Sequence, residues 1–416
     1  MIPLRETRLF KIAGLLTGFA LGQGSMFLAQ TWLVANSQLI AVGEIGLGLA
    51  IVSLAQWTAD WGGTLLLSRH AAIDETVGYV RAAIAVRLSL AGPIIAAVLI
   101  FCVVYEETQF VQGMVWGGAA SALIWAFNLT GYLDGKGKSA ISGPISSLSW
   151  LAASIGLVLL PSGQSFTAGL TIGVLYTAGV AITVVIQYII SARIGCPVAL
   201  AVPNWEHMRR FAVDGALYCS ADLPGQIYGR CLILIVMTFL GSEMAGIYVY
   251  IRHVVVAATQ AISFMMRVEF PAIARCVSAG KATVGTVLRI HNWSIAASVG
   301  ICLLLIALSI STQYGPSNAF VPIFQQLRSF SVIIPALVVS AVLGQAIIAY
   351  GAMPYYTVTM FGSMAASLFF ILLLISSMGL QIIAMSEVIM HTAQATFFSL
   401  FQAKLWAAQD SLLRRG

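Results

Sequence analysis

The residues able to do chemistry in this chain lie scattered inside long apolar stretches. Between 209 and 239, Asp214, Tyr218, Asp222, Gln226 and Arg230 recur at every fourth position. On a helix that spacing drifts only about 40° per step, so the five form one slowly winding polar stripe. An ionised group in mid-bilayer costs about 2.5–3.5 kcal/mol on insertion scales, and so it faces a partner or a water-filled space. Read one way, the stripe lines a hydrated passage. Read the other way, Asp222 pairs internally with Arg230, and Asp214 sits at the cytoplasmic interface beside Arg209 and Arg210. Pro224-Gly225 falls within the stripe, where a kink or break is expected to turn carbonyls toward a cavity.

Arg230 lies nine residues before Phe239, and Arg252 nine residues after Glu243. On adjacent helices joined by a tight outer turn, both sit about 13 Å below the outer boundary. Two guanidiniums at one depth suit bidentate capture of a phosphate or carboxylate. The alternative makes them structural, bonded to helix-end carbonyls or to Asp222. Tyr248 is one turn from Arg252 and can share its face, whereas His253 points elsewhere. In the second apolar stretch Gln56 and Asp60 are one turn apart on one face. Asp60 lies toward the cytoplasmic end, where Arg69 or Arg81 could neutralise it, and a salt bridge and a gating or ion-coupling role both stand. Gln23 and Gln30 put amides on one side of the first stretch. Glu387 and His391, at i and i+4, form either a proton relay or a local hydrogen bond.

No metal-ligand spacing occurs among these residues, and nothing resembles a soluble active site, so neither metal, cofactor nor enzymatic activity is expected. Coupling to H+ or Na+ stays open. The glycines of Gly43 to Gly48 do not follow a strand and suit close helix packing rather than phosphate binding. Asn128-Leu129-Thr130 matches a glycosylation site but falls on the cytoplasmic side. The six cysteines (102, 196, 219, 231, 276 and 302) are expected to be free thiols.

The elements that position these residues follow from composition. Of 416 residues, 59% are hydrophobic and 9% charged, with a mean hydropathy of +0.93. A soluble domain carries about 25% charged residues, so the apolar excess must face lipid. The net charge of +6 is not gathered into a groove or tail, which argues against nucleic acid. Spans are expected at about 11–34, 44–66, 82–104, 110–128, 141–160, 167–191, 209–239, 243–266, 286–309, 329–350, 354–375 and 381–404. On that map eighteen of the 21 Lys and Arg fall on one side of the bilayer, Arg328 alone on the other, and Arg230 and Arg252 inside. This positive-inside split puts both termini in the cytoplasm and makes the first span a retained helix rather than a cleaved signal. The longest outer loop, about 310–328, has no room for an extracytoplasmic domain.

The fold class is therefore an all-α integral membrane protein with about twelve spans. A weak repeat divides it: GEIGLGLA from Gly43 matches SEMAGIYVY from Ser242, each followed by a basic amphipathic stretch. Two six-helix halves of parallel orientation are expected, 1–195 and 196–416.

Three segments give the chain a family likeness. Gly43 to Arg69, with its glycine-led turn and Ala-Asp-Trp-Gly cluster, Asn128 to Lys138, and Gly241 to Arg275, ending in FPAIAR, resemble the polysaccharide flippase family (Wzx-type translocases). That family shares a superfamily with multidrug exporters and lipid II flippases. Tyr132-Leu133-Asp134-Gly135 departs from the family's usual Trp-Phe form. The resemblance implies a bacterial inner-membrane protein that moves a polyprenyl-pyrophosphate-linked oligosaccharide by alternating access. Its partners would be that substrate, membrane lipids and other polysaccharide-assembly proteins. On this reading Arg230, Arg252, Asp222, Gln226, Tyr218, Tyr248, Gln23 and Gln30 contact substrate, and Asp60, Gln56, Asp214 and Glu387 gate or couple. A cation-coupled multidrug exporter is the nearest rival and predicts a passage dominated by carboxylates. A polysaccharide polymerase would instead carry a large outer loop.

Overall fold

In the computed structural model residues 14, 16–72, 77–104, 108–159, 165–195, 197–198, 203–311 and 320–413 are described. Every element among them is helical. A π-helical turn, Ala20–Gly24, leads into α1 (Ser25–Ala35), followed by α2 (Leu39–Asp60), α3 (Gly63–Ala72), α4 (Val77–Val104) and α5 (Gln109–Trp125). Short α6 (Thr130–Gly135) and α7 (Ser139–Ser146) precede α8 (Leu148–Leu159) and α9 (Phe166–Arg193). The continuous stretch Trp205–Ser278 is two helices, α10 (205–240) and α11 (242–278), broken at Gly241. The chain ends with α12 (Val284–Ile290), α13 (Asn292–Ser311), α14 (Val321–Ser331), α15 (Ile333–Ala349), α16 (Met353–Met378) and α17 (Gln381–Leu413).

Eight helical stretches among the described residues are long and apolar enough to cross a bilayer. Their outward side chains, Ile100, Val185, Leu303 and Leu373 among them, are exposed and apolar, an arrangement that lipid tolerates and water does not. The chain forms two compact units, 1–226 and 227–416, which divide within α10.

In the first unit the backbones approach closely through glycine. A Cβ at Gly113 or Gly117 of α5 would overlap main-chain atoms of α9, and one at Gly169 or Gly173 of α9 would overlap main-chain atoms of α5. Two small-xxx-small faces thus meet, which brings main chain to main chain where lipid supplies no hydrophobic driving force. Both helices are capped at their N-termini, by Thr108 (3.4 Å to the Val111 N–H) and Ser165 (3.3 Å to the Ala168 N–H). In the second unit Tyr356 stacks on Phe398 (5.4 Å), and Gln402 donates to the Ala282 carbonyl at 2.9 Å.

Several expectations change. Helix α2 stops at Asp60 rather than running to residue 66, because Trp61 (φ 51°) and Gly62 (φ 69°) turn left-handed. The Trp61 indole donates to the Ala212 carbonyl at 2.9 Å, and a Cβ at Gly215 would overlap that indole, so α10 holds the strained residue in place. Pro224-Gly225 does not break its helix: within Trp205–Ser278 only Gly241 (φ 85°, ψ 172°) leaves helical geometry. The outer connection expected over 310–328 is shorter, since α14 already begins at Val321 and carries Arg328. Asn128 is buried, and its Oδ1 accepts from the Thr130 N–H (2.9 Å) and hydroxyl (2.7 Å), which is a turn-forming role. Cys102, Cys219, Cys231, Cys276 and Cys302 form no disulfide among the described residues, and Cys196 lies outside them.

Candidate functional site

The first polar centre belongs to the first unit, where α2 ends. Asp60 pairs there with Arg87 of α4 at 2.5 Å, and Arg87 is fully buried. Arg87 also donates to the carbonyls of Asp60 (3.3 Å) and Asn128 (2.9 Å), while the second Asp60 oxygen accepts from the Thr64 N–H at 2.9 Å. Gln187 of α9 extends the network, accepting from the Leu129 N–H and donating to the Thr130 hydroxyl, both at 2.8 Å. A Cβ at Gly63 would overlap the guanidinium, so glycine there gives Arg87 its place. The sequence assigned Asp60 to Arg69 or Arg81, but the turn at Trp61-Gly62 ends α2 and the partner comes from the neighbouring apolar helix. Arg87 is correspondingly a fully buried arginine that holds the end of α2.

Beside this pair lies a cavity of about 270 Å³ lined by Ser53, Gln56, Trp57, Asp60, Gly62, Thr64, Trp125, Tyr218 and Cys219. It gathers Gln56 and Asp60, read from the sequence as sharing one face, with Tyr218 of the separate polar stripe. The buried Gln56 accepts from the Tyr176 hydroxyl at 2.8 Å, and its Nε2 has no partner.

The second centre belongs to the second unit. Nη1 of Arg252 donates to both oxygens of Glu387, at 3.2 and 3.1 Å. Glu387 is buried, whereas 27% of the Arg252 side chain is exposed. The Tyr248 hydroxyl is buried without a partner. Tyr228 bonds Ser367 at 2.8 Å, and Ser367 bonds Ser386 at 2.7 Å. His391 does not bond Glu387; it meets Ser340 (3.2 Å) and Gln394 (3.0 Å), and Gln394 donates to Ser363 at 2.7 Å. Glu387, paired from the sequence with His391, is therefore the partner of Arg252, 135 residues away, which the sequence offered to helix-end carbonyls or Asp222.

The remaining sequence candidates divide as follows. Arg230 and Gln226 are half-buried on α10, and the side chain of Asp222 lies outside the described residues. Asp214 is partly exposed, 3.9 Å from Arg210, one of the two arginines expected beside it. Gln23 is half-buried in the π-helical turn, and Gln30 is fully buried with neither amide atom bonded.

Sequence reasoning missed a third pair. Glu269 of α11 bonds His291, which stands between α12 and α13, and accepts from the Ser294 hydroxyl at 2.9 Å. Its signal is the Glu269 of FPAIAR's own helix turn, a lone acid within a basic stretch. It also missed Glu44, which is buried on α2, hydrogen-bonded to Thr108 and without a partner at Oε2. Among the described residues no cluster of His, Cys, Asp and Glu could hold a metal.

The helical plan is similar to the fold of solved multi-pass membrane proteins described as MATE transporters of the MOP superfamily. A multidrug resistance MATE family transporter in its inward-facing conformation matches with a TM-score of 0.71 at 14% identity, over 96% of this chain and 99% of that one. An outward-facing multidrug resistance MATE family transporter matches with a TM-score of 0.64 at 15% identity, over 97% and 96%. A MOP superfamily transporter from Pyrococcus furiosus, described as having a binding pocket of reversed polarity, gives 0.62 at 14% over 97% and 96%. No protein-family description matches the chain, and no curated protein does.

Proposed function

We propose that this protein moves a polyprenyl-pyrophosphate-linked oligosaccharide across a bacterial inner membrane by alternating access, with twelve spans in two six-helix halves and both termini cytoplasmic. Solved structures of this fold in inward- and outward-facing conformations support the alternation. The observation that carries the choice of substrate is Arg252. It spends Nη1 alone on Glu387 and keeps more than a quarter of its side chain exposed, which leaves Nε and Nη2 as donors to an anion. Glu387 holds the guanidinium at a fixed angle, and the pyrophosphate then meets a preorganised cation. The acids read as coupling groups fit the same reading, because Asp60 and Glu387 each carry an arginine partner and so offer little to a cationic drug. Arg230 supplies a second contact, Tyr248 flanks the headgroup, and the tail stays in lipid.

The test is complementation of a flippase-null strain. Arg230→Gln with Arg252→Gln should abolish surface polysaccharide while the protein still reaches the membrane. Full complementation by the double variant would remove the arginines from the site. A second reading, a cation-coupled multidrug exporter, draws support from the multidrug transporters that share the fold and from Glu44, a buried acid with no basic partner among the described residues. It predicts that Glu44→Gln abolishes dye efflux that the double arginine variant retains.

A further inference from the structure

The cavity beside Asp60 has a size and a lining that narrow what it could hold. Its volume of about 270 Å³ holds roughly nine waters' worth of space. That is just below the range of about 300–1,000 Å³ that suits drug-sized molecules, and close to the bulk of one sugar ring. Its walls combine Trp57, Trp125 and Tyr218 with Gln56, Asp60 and Thr64. A pyranose presents the same mixture, apolar C–H faces and a rim of hydroxyls.

Charge narrows the choice further. Arg87 neutralises Asp60 from behind, so the cavity offers a cation no uncompensated partner and an acidic sugar a carboxylate to avoid. Each Asp60 oxygen is used once, by Arg87 or by the Thr64 N–H, and a carboxylate has about four acceptor sites. Gln56, one turn before it, has its oxygen engaged by Tyr176 and its Nε2 buried with no acceptor. A buried amide donor left unmatched is unfavourable, and a ligand oxygen would relieve it. A hydroxyl both accepts and donates, and two neighbouring hydroxyls can accept from Gln56 and donate to Asp60 together. We propose that this cavity binds one neutral pyranose ring of the transported headgroup, a subsite that rests on the transport reading given above.

The test is calorimetric titration of the full chain in lipid nanodiscs. The probes are the methyl glycosides of neutral hexoses and N-acetylhexosamines, a methyl glucuronide, and tetraphenylphosphonium. At least one neutral glycoside should bind with a Kd on the order of 1 mM, the affinity expected of so small a ligand. Gln56→Leu should weaken it at least tenfold. Gln56→Glu keeps the acceptor for Tyr176 and loses the amide donor, so it should weaken the glycoside equally and gain affinity for tetraphenylphosphonium, with a melting temperature lowered by the added buried acid but the folded state retained at the titration temperature. Absence of binding by every neutral glycoside at tens of millimolar overturns the subsite, as does tetraphenylphosphonium binding to the unaltered protein that Gln56→Leu weakens. If the protein translocates lipid-linked oligosaccharide yet binds no glycoside, the subsite falls and the transport reading stands. If glycosides bind with this Gln56 dependence and no lipid-linked oligosaccharide moves, the reverse holds.

Discussion

Replacing Arg87 with Met tests whether the end of α2 is held by charge. The guanidinium is fully buried, reaches Asp60 at 2.5 Å and donates to the Asn128 carbonyl at 2.9 Å. Met fills most of the volume but leaves Asp60 as a nearly buried, uncompensated carboxylate. Breaking one side of such a pair costs about 3–5 kcal/mol. Because Asp60 borders a cavity that water can enter, the lower figure of about 3 kcal/mol applies. For a unit of this size each kcal/mol lowers the melting temperature by about 2–4 °C, so a fall of about 6–12 °C is expected. Asp60→Asn alone leaves Arg87 charged and unpaired and should be comparably damaging. The double variant should recover at least half of the loss, because neither orphaned charge remains. Melting of the four proteins, followed by tryptophan fluorescence in one detergent, completes the cycle. An Arg87→Met shift below about 2 °C, or a double variant as unstable as the sum of the singles, would refute the reasoning.

Three further outcomes follow from the geometry. Gly117→Ala should lower the melting temperature, by overpacking that costs at least about 1–3 kcal/mol, since its Cβ would strike the α9 main chain; Gly92→Ala, with open space around it, should be neutral or stabilising by up to about 1 kcal/mol. Gly241→Ala forces a non-glycine residue into φ 85°, ψ 172° and should cost about 1–3 kcal/mol, read in the same melts. Burial holds the Asp134 carboxyl above its ordinary 3.8, with the Ser142 hydroxyl pulling the other way. The folded state then keeps that proton to higher pH than the unfolded chain, so this group's contribution to stability falls as pH rises from about 3.8 through the raised value. Asp134→Asn should flatten that part of the stability profile.

Hydropathy was enough to predict an all-helical membrane chain, because lipid demands long apolar helices whatever their contacts, and eight stretches among the described residues are long and apolar enough to cross. What depends on contacts was harder to read. Pro224-Gly225 looks like a break, yet proline's fixed φ suits a helix and the chain passes through unbroken. The turn at Trp61-Gly62 hides in an apolar run, since a tryptophan in left-handed geometry is set by its indole bond to Ala212 and not by local propensity. Proximity along the chain suggested Arg69 or Arg81 for Asp60, and nothing local links Arg252 to Glu387. Both true partners come from other helices. Glycines at 113, 117, 169 and 173 carried a readable signal, a paired small-xxx-small spacing, which became meaningful once the two helices were seen to share it. Gln56, Asp60 and Tyr218 were each legible as polar residues inside a membrane, but their common cavity was not.

The most direct measurement reconstitutes the purified protein in liposomes carrying a fluorescent polyprenyl-pyrophosphate oligosaccharide in both leaflets and follows protection of the sugar from an external glycosidase. The account predicts that the unaltered protein exposes the protected pool to the enzyme, that Arg252→Gln slows this at least tenfold, and that an organic cation does not compete. Exposure at the protein-free rate, or transport that Arg252→Gln leaves unchanged, would contradict it.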